Sequence, residues 1–153
     1  SLSVNDGTEW SSPDLITITK IERVSNAAPT VNAGNSLSVD AGDGMCELSG
    51  YSYNCDECDP VTLTIGAGGS VVDPDGDPVT YEWQVISGDV TISDPSVLET
   101  IATFEGATPT DINVCENNTY ELELVAVDCP GASSIDSVTV TLSCCGLEET
   151  TSN

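Results

Sequence analysis

Asp73, Asp75 and Asp77 stand at alternate positions in the stretch VVDPDGDPVTYEWQVISG, residues 71–88, among two prolines and a glycine. Two chemistries fit that spacing. In the first, the aspartates only turn the chain: Asp accepts from the backbone two residues on, Pro fixes φ, and Gly supplies a positive φ. In the second, carboxylates at alternate positions aim oxygens at one hard cation, and calcium takes six to eight of them. The spacing is not that of an EF-hand. Counted from Asp73, the sixth position is Pro78 rather than Gly and the twelfth is Gln84 rather than Glu. A remote carboxylate, Asp128 or Asp136, would have to complete a calcium shell. Magnesium fits less well, because its strict octahedral shell suits an all-protein loop poorly.

Seven cysteines form the second chemical set: Cys46, Cys55, Cys58, Cys115, Cys129, Cys144 and Cys145. They point to disulfides made in an oxidising compartment. The rival is a zinc site built from Cys55-x-x-Cys58 with Cys144 and Cys145. Adjacent cysteines are awkward ligands for one tetrahedron, so disulfides are preferred. Cys115 and Cys129 bracket the apolar run 119–127, and a link across its ends or to a neighbouring strand fits them. An odd count leaves one thiol free or joined to another chain. Asn117-Asn118-Thr119 is a glycosylation sequon, placed in a turn before a strand.

Acid–base and nucleophilic chemistry have little to work with. Histidine is absent, Lys20 is the one lysine, and 26 acids against 2 bases give a net charge of −24. The commonest general base near neutral pH is therefore missing. A carboxylate pair could still act, yet among so many acids proximity in sequence says little, and the chain is read as a non-enzyme. The charge repels nucleic acid and anionic membranes. No apolar run approaches the roughly 18 residues of a membrane span. The chain begins at Ser1 without a basic or apolar leader, which reads as a form whose leader has been removed or trimmed.

The elements that must hold these residues are strands. Thr/Val/Ile alternation predicts strands over 14–24, 36–40, 61–66, 79–86, 89–93, 97–104, 119–127 and 135–143. Turn material separates them, which predicts an all-β antiparallel sandwich. Residues 43–60 hold three cysteines without a strand period and read as a disulfide-pinned insertion loop. Trp83 is expected to plug the core with Tyr81 on the same face and Glu82 opposite. Leu122, Leu124 and Ala126 would face inward and Glu121 and Glu123 outward. Tyr120 stands where Ig-type folds place a corner-closing hydroxyl.

Three blocks in order, APTVNAG (28–34), GGSVVDPDGDPVTYEWQVISG (68–88) and NTYELELVAVDCPGASSIDSVTVTL (118–142), resemble the polycystic-kidney-disease-like (PKD-like) family. The likeness is to the branch found in prokaryotic surface proteins and to the related cadherin-like repeats, over about residues 27–143. It departs from typical members in lacking a WDFGDG block and in carrying the cysteine loop. The resemblance implies an Ig-like sandwich, an extracellular or cell-surface location, and carboxylates near inter-strand loops that sometimes bind calcium.

The domain organisation read from the sequence is an N-terminal arm over 1–26, the Ig-like domain over 27–145 and a polar tail over 146–153. The arm carries both bases of the chain with four acids, leaving 22 acids and no base beyond it. A β-prone arm tethered to a strongly acidic domain suits strand donation to a second copy, with Leu15, Ile16, Ile18, Lys20, Ile21 and Arg23 as the contacting residues. The expected function is a structural subunit of an extracellular filament, a homopolymer. The alternative is a spacer or adhesive module of a larger protein, contacting a glycan or another cell-surface ligand.

Overall fold

The computed structural model describes residues 2–20 and 25–148, and among these every regular element is a β-strand. In chain order they are β1 (Thr30–Asn32), β2 (Leu37–Ser49), β3 (Ser52–Cys55), β4 (Val61–Ile65), β5 (Ser70–Val72), β6 (Val79–Ser87), β7 (Val90–Ile92), β8 (Thr100–Phe104), β9 (Cys115–Asp128) and β10 (Ser133–Glu148).

A five-stranded sheet in the order β3-β2-β10-β9-β6 faces a three-stranded sheet in the order β4-β8-β7. β1 and β5 make a separate antiparallel pair. Pairing is antiparallel throughout except that β2 lies parallel to β10. This is an Ig-like β-sandwich, as the strand pattern and turn spacing predict.

Period-two alternation decides what each strand buries. Along β9, Tyr120, Leu122, Leu124 and Ala126 are buried, while Glu121 is exposed and Glu123 half-buried. Val138, Val140 and Leu142 of β10 join them, and Ile65, Ala102 and Phe104 meet them from the facing sheet. Trp83 is buried in β6 with Glu82 exposed beside it, and its indole Nε1 donates to Leu98 O at 3.0 Å. Tyr81 packs half-buried against the same core. Tyr120 stacks edge-on against Phe104, ring centroids 5.2 Å apart, and its hydroxyl donates to Glu105 O. That is the corner-closing bond expected of it. Gly88, at φ +88, lets the chain leave β6 over this ring, since a Cβ there would sit 2.3 Å from Tyr120.

Several boundaries depart from the sequence reading. Residues 43–60 are not an irregular insertion: β2 continues to Ser49 and returns as β3, with Glu47 opposite Asn54 and Leu48 opposite Tyr53. A cross-strand disulfide supplies the pairing that alternation does not announce. β10 continues through residues 146–148, so the boundary at 145 falls inside a strand, and the rest of the tail lies outside the described residues. Over 14–20, the described part of the expected strand 14–24, no strand forms. Asp14 makes one isolated bridge to Leu2, residues 15–20 belong to no strand, and 21–24 lie outside the described residues. A strand is stabilised by its neighbour, and β propensity without a partner builds no ladder.

The disulfides brace the sandwich at one end. Cys46–Cys55 joins β2 to β3, and Cys115–Cys145 joins β9 to β10, each across a directly opposed pair. Cys58–Cys144 ties the approach to β4 to β10 and so links the two sheets. The zinc alternative falls, since Cys55, Cys58, Cys144 and Cys145 are all spent in bonds to different partners. Cys115 pairs with the neighbouring strand rather than across β9, and Cys129 is the free, exposed thiol.

Candidate functional site at the arm junction

The loop between β5 and β6 brings Asp73, Asp75 and Asp77 together, with one carboxylate oxygen of each lying within 4.8 Å of the others. The turn is built by the first of them. Asp73 Oδ1 accepts from the backbone N–H groups of Asp75 and Asp77, both at 2.9 Å, and Gly76 takes φ +77 at the bend. That is the turn-forming role read from the sequence. It uses only one of the two Asp73 oxygens. Asp73 Oδ2 is buried and has no hydrogen-bond partner. A buried carboxylate oxygen without a partner is costly, because the water it has lost is not replaced.

The arm crosses this loop where it enters the domain. Ala27 N donates to Asp75 Oδ2 at 2.8 Å. One residue earlier, Asn26 Nδ2 donates to Asp128 Oδ2 at 2.7 Å. Asp128 is only 5% exposed, and its Oδ1 caps the β9–β10 turn by accepting from Gly131 and Ala132, each at 2.7 Å. Successive residues of one segment are thus tied to two loops.

Neither remote carboxylate expected to complete a metal shell joins the group found among the described residues, which is Asp73, Asp75 and Asp77. Asp128 is committed to the arm and to its own turn. Asp136 lies further along β10, its Oδ2 accepting from Ala33 N at 2.8 Å. Asn26 and Ala27 were not legible as site residues. Their role depends on loops 48 and 102 positions away, and no local pattern encodes it.

Other expected residues are scattered. Asn117 sits inside β9, opposite Ser143, with an exposed side chain, rather than in a preceding turn. Leu15, Ile16 and Ile18 are 77, 79 and 86% exposed, and every described arm residue up to Lys20 is exposed. Ile21 and Arg23 lie outside the described residues. An open groove of about 330 Å³ on the outer face of β6 and β9 is lined by Thr80, Glu82, Gln84, Val125 and Val127.

The strand pairing defines a disulfide-braced, Ig-like sandwich, and among the described residues no helix is long and apolar enough to cross a membrane. No family model and no curated protein sequence matches the chain. Among solved structures it is similar to a nucleoside hydrolase-related hypothetical protein from Saccharophagus degradans, described as associated with carbohydrate metabolism, at 19% identity and TM-score 0.48. That match covers 77% of this chain and 26% of the other, so the chain corresponds to about a quarter of that protein's length. It is also similar to the PKD domain of the KIAA 1837 protein, at 19% identity and TM-score 0.41, covering 86% of this chain and 98% of that one. The PKD domain of human KIAA0319 is similar at 12% identity and TM-score 0.38, covering 88% and 98%.

Proposed function

We propose that this chain is a structural, non-enzymatic subunit of an extracellular or cell-surface filament, in which the arm of one copy adds a strand to a sheet of the next. One observation carries the reading: Leu15, Ile16 and Ile18 are held in water, in no strand of their own molecule. Three large aliphatic side chains within four residues are unfavourable there, and burying each contributes about 1.5–3 kcal/mol. Strand addition buries Ile16 and Ile18 on one face and gives the arm's backbone a ladder. The disulfides supply the stiffness a load-bearing unit needs.

Calcium belongs to the same proposal. Asp73 Oδ2, buried without a donor, together with an oxygen each of Asp75 and Asp77, suits a hard cation that takes carboxylate ligands. A bound cation would offset the repulsion among the three carboxylates and stiffen the loop that anchors Ala27.

The test is assembly of the full-length chain, followed by light scattering and negative-stain electron microscopy. Polymers are expected for the native chain and monomers for an Ile16→Asp, Ile18→Asp variant of equal melting temperature. Native protein that stays monomeric across wide ranges of protein and calcium concentration would overturn the reading.

The second reading, a spacer or adhesive module in a longer protein, is favoured by one feature. The chain enters beside Asp128, at the end of β9, and leaves near Gly146, which bonds Val114 just before β9 begins. Entry and exit at opposite ends of one long strand let such domains be strung in a line. Under that reading the aspartate variant of the arm changes nothing but solubility.

A further inference from the structure

The two sheets have four outer edges, and they are not equally closed. The edge of β6 is covered: Trp83 N donates outward to Pro95 O at 2.8 Å, and its indole reaches Leu98 O. β7 is three residues long, and β3 pairs only with the distal, disulfide-held part of β2. β4 is different. It hydrogen-bonds to β8 over Val61–Ile65 and, among the described residues, to no strand on its other side. β2 is bare in the same way over Leu37–Ala41, paired to β10 on one side, since its pairing with β3 starts at Cys46.

These two bare edges border one seam. At one corner Gly34, just before β2, packs so closely on the chain after β4 that a Cβ would lie 2.9 Å from Ala67 O. At the other, Ala41 of β2 packs against the cluster of Cys58, three residues before β4, with Ala107 and Cys144. Between these corners β2 and β4 run antiparallel in separate sheets. Leu37, Val39 and Ala41 on one side and Val61 and Leu63 on the other pack on the core but stay half-buried. The inward residues of the central strands, Leu122, Leu124, Val140 and Phe104, are fully buried. Residues at other edges, such as Tyr81, Val90 and Ile92, are half-buried in the same way, so what marks this seam is its two strand edges without a partner among the described residues.

We infer that the seam between β2 and β4 is the acceptor, and that its occupant is residues 15–20 of a second copy of this chain. The inference rests on the arm donation proposed above and names where the arm goes. The six residues LITITK match the five-residue edge of β4 in length. Alternation puts Ile16 and Ile18 on one side, to meet Leu37, Val39 and Leu63, with Thr17 and Thr19 turned outward. The arm as a whole is net negative, but the occupant LITITK carries one base, Lys20, and no acid, while Asp40 on β2 and Asp59 before β4 flank the seam. Within one molecule the arm does not fill it, because residues 2–20 are exposed throughout.

Cross-linking of the full-length chain tests this, in a Cys129→Ser background that removes the free thiol. Thr17→Cys in the arm is combined with Thr64→Cys on the β4 edge or, as control, with Thr80→Cys on β6, and each is treated with a short bifunctional maleimide. Thr62→Cys is the second β4 position should Thr64→Cys misfold, and intact mass verifies the three native disulfides. A ladder of dimers and higher species with Thr64→Cys, lost with Thr80→Cys, is expected. A ladder with Thr80→Cys alone or with both, or a cross-link confined to the monomer, overturns the acceptor assignment. If light scattering still shows polymers in that case, arm-dependent assembly stands. Absence of both polymer and ladder overturns the assembly reading and this inference with it.

Discussion

Asn26 donates its side-chain amide to Asp128 across 2.7 Å, and this bond pins the last residue of the arm to the sandwich. Asp128 is nearly buried and also caps the β9–β10 turn, so arm and turn share one carboxylate. Asn26→Ala removes a donor from a buried charged acceptor, which costs about 1.5–3 kcal/mol. Chemical denaturation should show that loss, and amide exchange over residues 25–29 and 128–132 should quicken together. Faster exchange in only one of the two segments would show that the bond does not couple them.

Asp73→Asn separates the two roles of the aspartate loop. Asparagine keeps an oxygen to accept from Asp75 and Asp77, so the turn survives, but it is a weaker cation ligand. The native chain should melt higher in millimolar calcium than in chelator, because a ligand that binds only the folded state stabilises it. The variant should lose that increment while matching the native chain in chelator. An unchanged native midpoint would return the three aspartates to turn formation alone.

Tyr120→Phe deletes the hydroxyl bonded to Glu105 O and leaves the ring on Phe104. A loss of about 0.5–1.5 kcal/mol in unfolding free energy is expected, with an unchanged denaturant slope. A loss well above that range would mean that the ring packing, not the corner bond, had been disturbed.

The disulfides should differ in effect. Cys58–Cys144 closes 86 residues of chain and Cys46–Cys55 only 9, so the chain-entropy relation makes the former more stabilising by about 2 kcal/mol. Paired Cys→Ala variants, compared by denaturation, read this directly. Equal losses would show that unfolded-state entropy is not what separates them.

Asp6 tests the small folded part of the arm. Its Oδ1 accepts from Glu9 N at 3.0 Å, from Thr8 N at 2.9 Å and from the Thr8 hydroxyl at 2.8 Å. These bonds, that of Glu9 foremost, lower its pKa from 3.8 to about 2. The depressed value means that the carboxylate's support of the turn is complete above about 3.8 and is lost as pH falls through about 2. An NMR titration should place both the Asp6 midpoint and the melting of the 6–9 turn near pH 2. A midpoint at the ordinary carboxylate value would show that these bonds are not kept in solution.

Much of the sandwich was legible because its strongest signals are local. Alternation through TYELELVAV placed Leu122, Leu124 and Ala126 inside, and Trp83 and Tyr120 announced the core and its corner. The hairpin of β2 and β3 was not legible, since Cys46 and Cys55 hold it through a bond that leaves no period in the residues between them. Over residues 14–20 the opposite occurred: a strong strand pattern stands without a strand, because propensity specifies a conformation and not the partner that stabilises it.

The order of residues by itself settled what is repeated every two positions or set by one turn: an all-β sandwich, its buried faces and the aspartate bend. Only the tertiary structure decided what depends on segments far apart in the chain. It joined Cys58 to Cys144, set Asn26 against Asp128 and, among the described residues, left β4 and the first part of β2 each paired on one side only. Side-chain direction along a strand follows from backbone geometry within a few residues, whereas contact between strands depends on how the whole core packs, which no short stretch of sequence contains.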